Sequence, residues 1–477
     1  MKNLRVVGLL LFVLGGCSVG PKYKKPEFHP PATFYTQEEA SSDSAADLAW
    51  WDLFKDPVLQ SLIRESFANN YDLRLAVSRV DQERDLLGVT KSQYYPQVGY
   101  DGNISGQQSP IIANHTYYSY SFTAFWEIDL FGRIRKMNEA QRAVYFSTDQ
   151  ARRDIRLLVM SEVAQGYFQL RALDKQLEIS QQTAKSFQET LDIFQHKFEG
   201  GAASGLEVAR AQAALLNVEA TIPDLKRQIV AQEAALDLLL GRNPGPIARG
   251  AVLADQYDPP QVPVGLPSAL LERRPDLREA EQDLIAANAN AGVAKANFFP
   301  TISLSGLLGG VSPQLSELTG AGKAWSLAGD LAGPLFTAGR LKNQYRAALE
   351  QREQAKISFE KAVTGAFGEV SISLSAHQEL AEAYRKQMAS VDAYRESIRL
   401  STTRYDSGLS SYLEIIDAEI QAYPAETATV TYDLGRKVAL VNLYRALGGG
   451  WNLTDVQWTS NGVTPVTKPV PVPSQNQ

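Results

Sequence analysis

The chain is written twice. Asp72-Leu73-Arg74 returns as Asp276-Leu277-Arg278, 204 residues later. Gly88-Val89-Thr90-Lys91-Ser92-Gln93-Tyr94-Tyr95-Pro96 returns at the same offset as Gly292-Val293-Ala294-Lys295-Ala296-Asn297-Phe298-Phe299-Pro300. Further on, Phe198-Glu199 and Leu206-Glu207-Val208 match Tyr405-Asp406 and Leu413-Glu414-Ile415 at offset 207. So small a drift over so long a stretch marks a tandem duplication. One copy covers about 50–241, the second about 263–448, with a Pro/Gly-rich connector at 242–262 and a tail at 449–477. Neither copy is a self-contained domain of the ordinary kind, so length alone, which would suggest two to four domains, misleads.

Each copy reads helix, strand, strand, long helix, long helix. Apolar or small residues recur at Val163, Gly166, Leu170, Leu173, Leu177, Ser180, Ala184, Phe187, Leu191, Phe194 and Phe198. Their spacing alternates three and four without a break, as in a coiled-coil seam. Copy two repeats the seam from Val370 to Tyr405, with His377 in the place of Leu170. A packed helix residue explains His377 better than a metal ligand does. A helix from Lys136 to Phe198 is about 95 Å long at its usual rise. Gly200-Gly201 and Gly408 end these rods, and new helices start near Leu206 and Leu413. The Gly200–Gly205 cluster follows no strand and lacks the Lys-Ser/Thr of a phosphate loop, so it reads as a helix–helix turn.

Between the helices lie four segments of period two, at about 96–106, 117–129, 300–310 and 323–333. Tyr100, Phe122, Trp126, Ile302, Leu304 and Trp325 fall on the apolar side; Gln97, Asp101, Ser121, Thr123, Ser303 and Asp330 fall on the other. About ten residues of this alternation is what a transmembrane β-strand needs. A half-buried soluble sheet shows the same pattern, and period does not separate the two. Four strands do not close a barrel, and hydrocarbon tolerates no open edge. Membrane insertion would therefore demand several chains; three would give twelve strands, with the six apolar-side residues facing lipid.

Composition removes other classes. The net charge is -6 and 21% of residues are charged, which does not suit a nucleic-acid binder. The four histidines lie far apart, and one cysteine permits neither a disulfide framework nor a cysteine-rich metal site. No Ser/His/Asp or Cys/His set is assignable, so no catalysis and no cofactor are expected. No apolar run reaches the length of a transmembrane helix. The N-terminus is different. Lys2 and Arg5 precede an apolar stretch, Val6 to Leu14, which ends in Leu14-Gly15-Gly16-Cys17. A basic region, a short apolar run and small residues read as a signal peptide over residues 1–16. The sole cysteine then becomes an acylation site, with Ser18 after it. Residues 17–49, with Pro21, Pro26, Pro30 and Pro31, have the composition of an extended segment without its own core.

Taken in order, these features resemble the TolC-like outer-membrane factors, in their lipoprotein branch that serves tripartite multidrug efflux. The signposts are Gly16-Cys17, Gly20-Pro21-Lys22-Tyr23, Trp50-Trp51, Asp56-Pro57, Trp126-Glu127-Ile128-Asp129-Leu130-Phe131-Gly132, Leu271-Glu272-Arg273-Arg274-Pro275-Asp276-Leu277 and Gly333-Pro334-Leu335-Phe336. The resemblance implies a mainly α protein with a transmembrane β-barrel: a homotrimer whose twelve strands lead into a periplasmic α-helical barrel. It implies lipidation at Cys17, outer-membrane lipid around the strands, a periplasmic adaptor, an inner-membrane pump and a passive exit duct. It also places the periplasmic gate at Leu413 and Asp417, one turn apart on a helix face. Relatives often carry arginine where Ile420 stands, so that gate salt bridge would be absent or relocated. Arg210 matches Asp417 in copy one and is the candidate partner. Two alternatives stay open: an exit channel for polypeptides, which would look alike, and a periplasmic adaptor or scaffold lipoprotein.

Overall fold

A computed structural model describes residues 19–35, 43–107, 115–259 and 262–459. The expected signal segment, Cys17 and the end of the C-terminal tail lie outside the described residues. The elements follow the duplicated order. Copy one holds α1 (Trp50–Leu53), α2 (Pro57–Asn69), α3 (Tyr71–Ser92), β1 (Gln97–Gln107), β2 (His115–Ile128), α4 (Arg133–Glu199) and α5 (Gly205–Leu239). Copy two holds α6 (Leu270–Arg273), α7 (Pro275–Ala296), β3 (Thr301–Ser312), β4 (Lys323–Ala332), α8 (Arg340–Asp406) and α9 (Leu413–Ala446). A short α10 (Asp455–Thr459) follows. The rods α4 and α8 are each 67 residues long, about 100 Å at the α-helical rise. The chain splits into two compact units, one from residues up to 28, 77–151 and 276–362, the other from 29–76, 152–275 and 363 onward.

The first unit contains one antiparallel sheet in the order β1-β2-β3-β4. Its register puts Tyr100 opposite Phe122, Phe122 opposite Leu308, and Leu308 opposite Trp325. Residues directly opposite share a face, so this apolar row crosses all four strands. The other face is mostly polar or small, with Phe125, Leu307 and Val311 among its members: Asp330 pairs with Ser303 and Ser303 with Glu127, and the Ser305 hydroxyl donates to Asp330 at 2.9 Å. β1 and β4 each keep one edge without a strand partner among the described residues.

Around the sheet ends, α4 is held from two sides. Asn138 donates to the Thr90 carbonyl and Gln141 to Glu83, both on α3. Ser147 donates to Asp283 on α7 at 2.6 Å. The start of α8 touches the end of α7, where Lys295 lies over the Tyr345 ring, and Tyr345 stands edge-on to Phe298 in the turn that follows. The N-terminal stretch is extended, as its prolines suggest, and it is bolted to α7. Asn288 donates to the Pro21 carbonyl, Tyr23 donates to Glu281, and Lys25 pairs with Glu281 at 2.9 Å. A Cβ on Gly20 would lie 2.7 Å from the Gly292 Cα, so the crossing needs glycine.

The second unit carries the main core. Trp50, Leu53, Leu59 and Ile63 pack with Met160, Val163, Tyr167 and Leu170 of α4 and with Leu236, Leu440 and Tyr444. Asp56 caps α2 ahead of Pro57, its side chain accepting from the Val58 amide, a favourable N-terminal arrangement. The same carboxylate accepts from the Tyr167 hydroxyl at 2.8 Å, the Ala251 amide at 3.0 Å and Gln256 at 2.7 Å. That ties the connector to the core. Farther along the connector, Asp258 meets His377 at 3.1 Å and Arg436 at 2.9 Å. His377 is buried on its seam, 2% exposed. Residues expected to lack a core are more engaged than their composition suggests: Phe34, Ala45 and Ala46 are buried, because aromatic and small groups inside a polar stretch still find the core. The tail beyond 449 likewise begins with structure, since Asp455 of α10 pairs with Arg152 and Arg156.

Candidate functional site

The seam read from the sequence is the packing face of α4 as far as Phe194, while its last member, Phe198, is 52% exposed. Val163, Leu170, Leu173, Ser180, Ala184, Phe187 and Phe194 are all buried. Their partners come from both copies. Ala214, Leu215 and Val218 of α5 close on Ala184 and Phe187, while Ile416 of α9 joins Phe194 and Ala211. Within the second unit, α9 therefore lies along α4 and α5, and the candidate gate residues ride on its first turns.

The two hairpin turns are chemically alike in sequence and differ in structure. In the first, Ser204 caps α5 and forms a complete capping box with Glu207, after Gly201 turns with φ of +73°. In the second, Ser411 and Glu414 hold the equivalent places, and Gly408 turns with φ of +71°. Yet α9 starts at Leu413 without a side-chain cap, and Glu414 pairs instead with Arg404 at 3.4 Å. The second turn is the less firmly capped of the two.

Leu413 is 48% exposed and Ile420 43%, with Asp417 exposed between them on one stripe of α9. The opposite stripe, Ile415, Ala418 and Ala422, is buried, and between the two runs a part-buried seam that begins at Tyr412. Its ring meets Phe194 and Tyr405 edge-on, both near 5 Å between centroids, and its hydroxyl lies 3.0 Å from Thr190 Oγ1. Lys197 reaches the Tyr405 hydroxyl and lies over its ring. Farther along, the Tyr423 hydroxyl lies 3.0 Å from Ser180 and 3.1 Å from Thr221. Glu419 stands between them, accepting from Ser186 at 3.1 Å. Burial pushes the carboxyl of Glu419 up, with the Ser186 hydrogen bond opposing. Burial also pushes the Tyr412 hydroxyl up.

Arg210 is exposed on α5, and within the chain it forms no ion pair with Asp417. The cation that answers an acid at this turn is Arg404. Tyr412, Glu419 and Tyr423 were not anticipated. Their signal was present, since Tyr412, Ile416, Glu419 and Tyr423 follow a four-three-four spacing, a seam with an acid inside it.

All six strand residues, Tyr100, Phe122, Trp126, Ile302, Leu304 and Trp325, fall on one face of the sheet by register. Trp126 also donates its indole N–H to the Tyr94 carbonyl at 2.9 Å, which satisfies its one polar atom. At the end of β2, Glu127 accepts from Arg133, and Asp129 accepts from the amides of Ile134 and Arg135, so the polar face runs directly into the start of α4.

A two-faced four-stranded sheet whose outer edges have no strand partner among the described residues, with paired helical hairpins, makes this a duplicated strand–strand–rod–rod protein. The family model for the outer membrane efflux protein matches residues 62–242 and 266–449. The chain belongs to that family. It is 34% identical over 466 residues to the antibiotic efflux pump outer membrane protein ArpC of Pseudomonas putida, covering 94% of this chain and 96% of ArpC. It is 30% identical over 452 residues to the probable outer membrane lipoprotein SilC of Salmonella typhimurium, covering 92% and 97%. The solved structure of the open state of the Neisseria gonorrhoeae MtrE outer membrane channel is 32% identical, with a TM-score of 0.84 over 91% of this chain and 99% of that one.

Proposed function

We propose that this chain is the outer-membrane channel of a tripartite efflux system, a passive exit duct for antibiotics and other small toxic compounds. A periplasmic adaptor would dock on it and an inner-membrane pump would supply the energy. No catalytic step is required of this chain. The carrying observation is the family match across both halves of the duplication, joined to a strand–strand–rod–rod order that a single-hairpin adaptor lacks.

The duplication also supports a ring of three chains. Within one chain α4 is flanked by α3 and α7, whereas the start of α8 meets α7 through Tyr345 and Lys295. The places left open are complementary. Ile357 on α8 is 56% exposed, and Leu86 and Val89 on α3 are 41% and 60% exposed. An α3 from a neighbouring chain beside α8 would repeat the packing of copy one. The same step would join β4 to the neighbour's β1, and three chains would close twelve strands with no free edge. In that barrel the row from Tyr100 to Trp325 would meet lipid and the Asp330–Glu127 face would meet water. Acylation at Cys17 would add an anchor of about 0.8 kcal/mol per buried CH2.

Deletion of the gene tests this reading. Sensitisation to antibiotics, dyes and detergents is expected, with the protein recovered from outer membranes as a trimer that incorporates radiolabelled palmitate unless Cys17→Ala is present. Recovery as a lipid-free monomer, with no change in sensitivity, would overturn it.

A further inference from the structure

Glu419 interrupts a seam otherwise made of apolar and hydroxyl groups. One carboxylate oxygen accepts from Ser186 at 3.1 Å; the other, Oε2, is buried without a hydrogen-bond partner. An ionised carboxylate so placed has lost water without full replacement, which is costly, whereas the protonated acid carries no charge and gains a donor. The charged groups around it do not compensate. On α4, Lys185 and Glu189 flank Ser186 and face each other at 3.9 Å, both exposed. On α5, Glu207 is held by Ser204 and Arg210 points to solvent. On α9 itself, Glu414 pairs with Arg404, Glu426 pairs with Arg395 on α8, and Asp417 is exposed. None of these bonds to Glu419.

We infer that Glu419 is a proton-sensitive brace between α9 and α4. Protonated, it holds the first turns of α9 in place; ionised, it loosens them. The direction follows from linkage. Burial raises the carboxyl above its ordinary 4.5, so the packed form binds the proton more tightly than the parted form. Packing is then strongest below pH 4.5, weakens as pH rises towards the raised value, and stays weakened above it. The neighbours of Glu419 on α9 include Leu413 and Asp417, so loosening would move the candidate gate. That consequence rests on the channel reading; the brace does not.

Hydrogen exchange tests the brace in the detergent-extracted full chain, corrected for the intrinsic pH dependence of amide exchange. Protection over residues 412–423 is expected to fall as pH rises from 4.5, by about tenfold for each pH unit by which the carboxyl is raised. Glu419→Gln should flatten this dependence. Ser186→Ala removes the bond that favours the ionised form, so its transition should move to higher pH. An unchanged profile in Glu419→Gln overturns the brace, and should that variant fail to fold, an unmoved Ser186→Ala transition does so. Planar-bilayer recordings over the same range separate the two readings. Open probability rising with pH in the unaltered chain and flat in Glu419→Gln supports both. Absence of any conductance, with the exchange result intact, sinks the channel reading and leaves the brace standing.

Discussion

The Tyr167 hydroxyl donates to Asp56 Oδ2 at 2.8 Å, joining the middle of a 67-residue rod to the cap of a helix more than a hundred positions earlier. Burial pushes the Asp56 carboxyl up, but hydrogen bonds from Gln256, Tyr167 and the Val58 and Leu59 amides outweigh it and hold the group below its ordinary 3.8. The Tyr167 hydroxyl also accepts from the Gly250 amide at 2.8 Å. A Cβ on Gly250 would lie 2.3 Å from Asp56 Oδ1, so glycine lets the connector approach.

Asp56→Ala strands four donors (the Val58 and Ala251 amides, the Tyr167 hydroxyl and the Gln256 amide) around a buried site and is expected to cost about 3 kcal/mol. Tyr167→Phe should cost about 1–2 kcal/mol. Both are read as losses in denaturant unfolding of the detergent-solubilised protein. Because the Asp56 carboxyl is lowered on folding, its contribution is present above pH 3.8 and fades as pH falls below it. Asp56→Asn should remove that part of the acid sensitivity.

Asp455 offers a second acid-sensitive contact. Burial raises its carboxyl, but the charges and hydrogen bonds of Arg156 and Arg152 pull it down to about 2. Its stabilising effect on α10 is therefore full above pH 3.8 and lost as pH drops towards 2. Asp455→Asn is expected to speed proteolytic removal of the C-terminal segment at neutral pH, with little change in overall unfolding, since the aspartate side chain is itself 55% exposed.

The sheet register makes the two faces testable. Phe122→Lys would place a charge in the apolar row opposite Tyr100 and Leu308, and near mid-membrane this costs about 2–4 kcal/mol. Ser121→Lys, one residue away on the polar face, should be tolerated. Heat-resistant oligomer on gels and insertion into vesicles provide the measurement. Equal effects of the two variants would remove the lipid-facing assignment.

Leu413 and Asp417 share the exposed stripe of α9. Leu413→Ala combined with Asp417→Ala is expected to raise single-channel conductance severalfold in planar bilayers. Conductance equal to that of the unaltered chain would withdraw both residues from the gate.

Much of the element order was legible because it is carried by local pattern. Period two located all four strands to within two residues, and the three-four seam identified the buried face of α4, since both depend only on how side chains alternate around a backbone. The candidate site was less legible. Ser411-Tyr412-Leu413-Glu414 has the same capping spacing as Ser204-Gly205-Leu206-Glu207, and only the first of the two turns forms the box. Arg404 takes Glu414 away in the second, a competition between a local bond and an ion pair that spacing does not rank. Arg210 and Asp417 match by position in the duplication, yet equivalence in sequence did not bring them together within the chain.

The sequence by itself determined the repeat, the rods and the two-faced strands, because periodicity and self-similarity are properties of a single line of residues. Only the tertiary structure decided which residues far apart in the chain meet: Asp56 with Tyr167 inside copy one, Asp258 of the connector with His377, and Glu419 with Ser186 across the two copies. Each such contact depends on the axial and rotational setting of one long helix against another. In a helix rising about 1.5 Å per residue, a shift of one or two positions changes every partner.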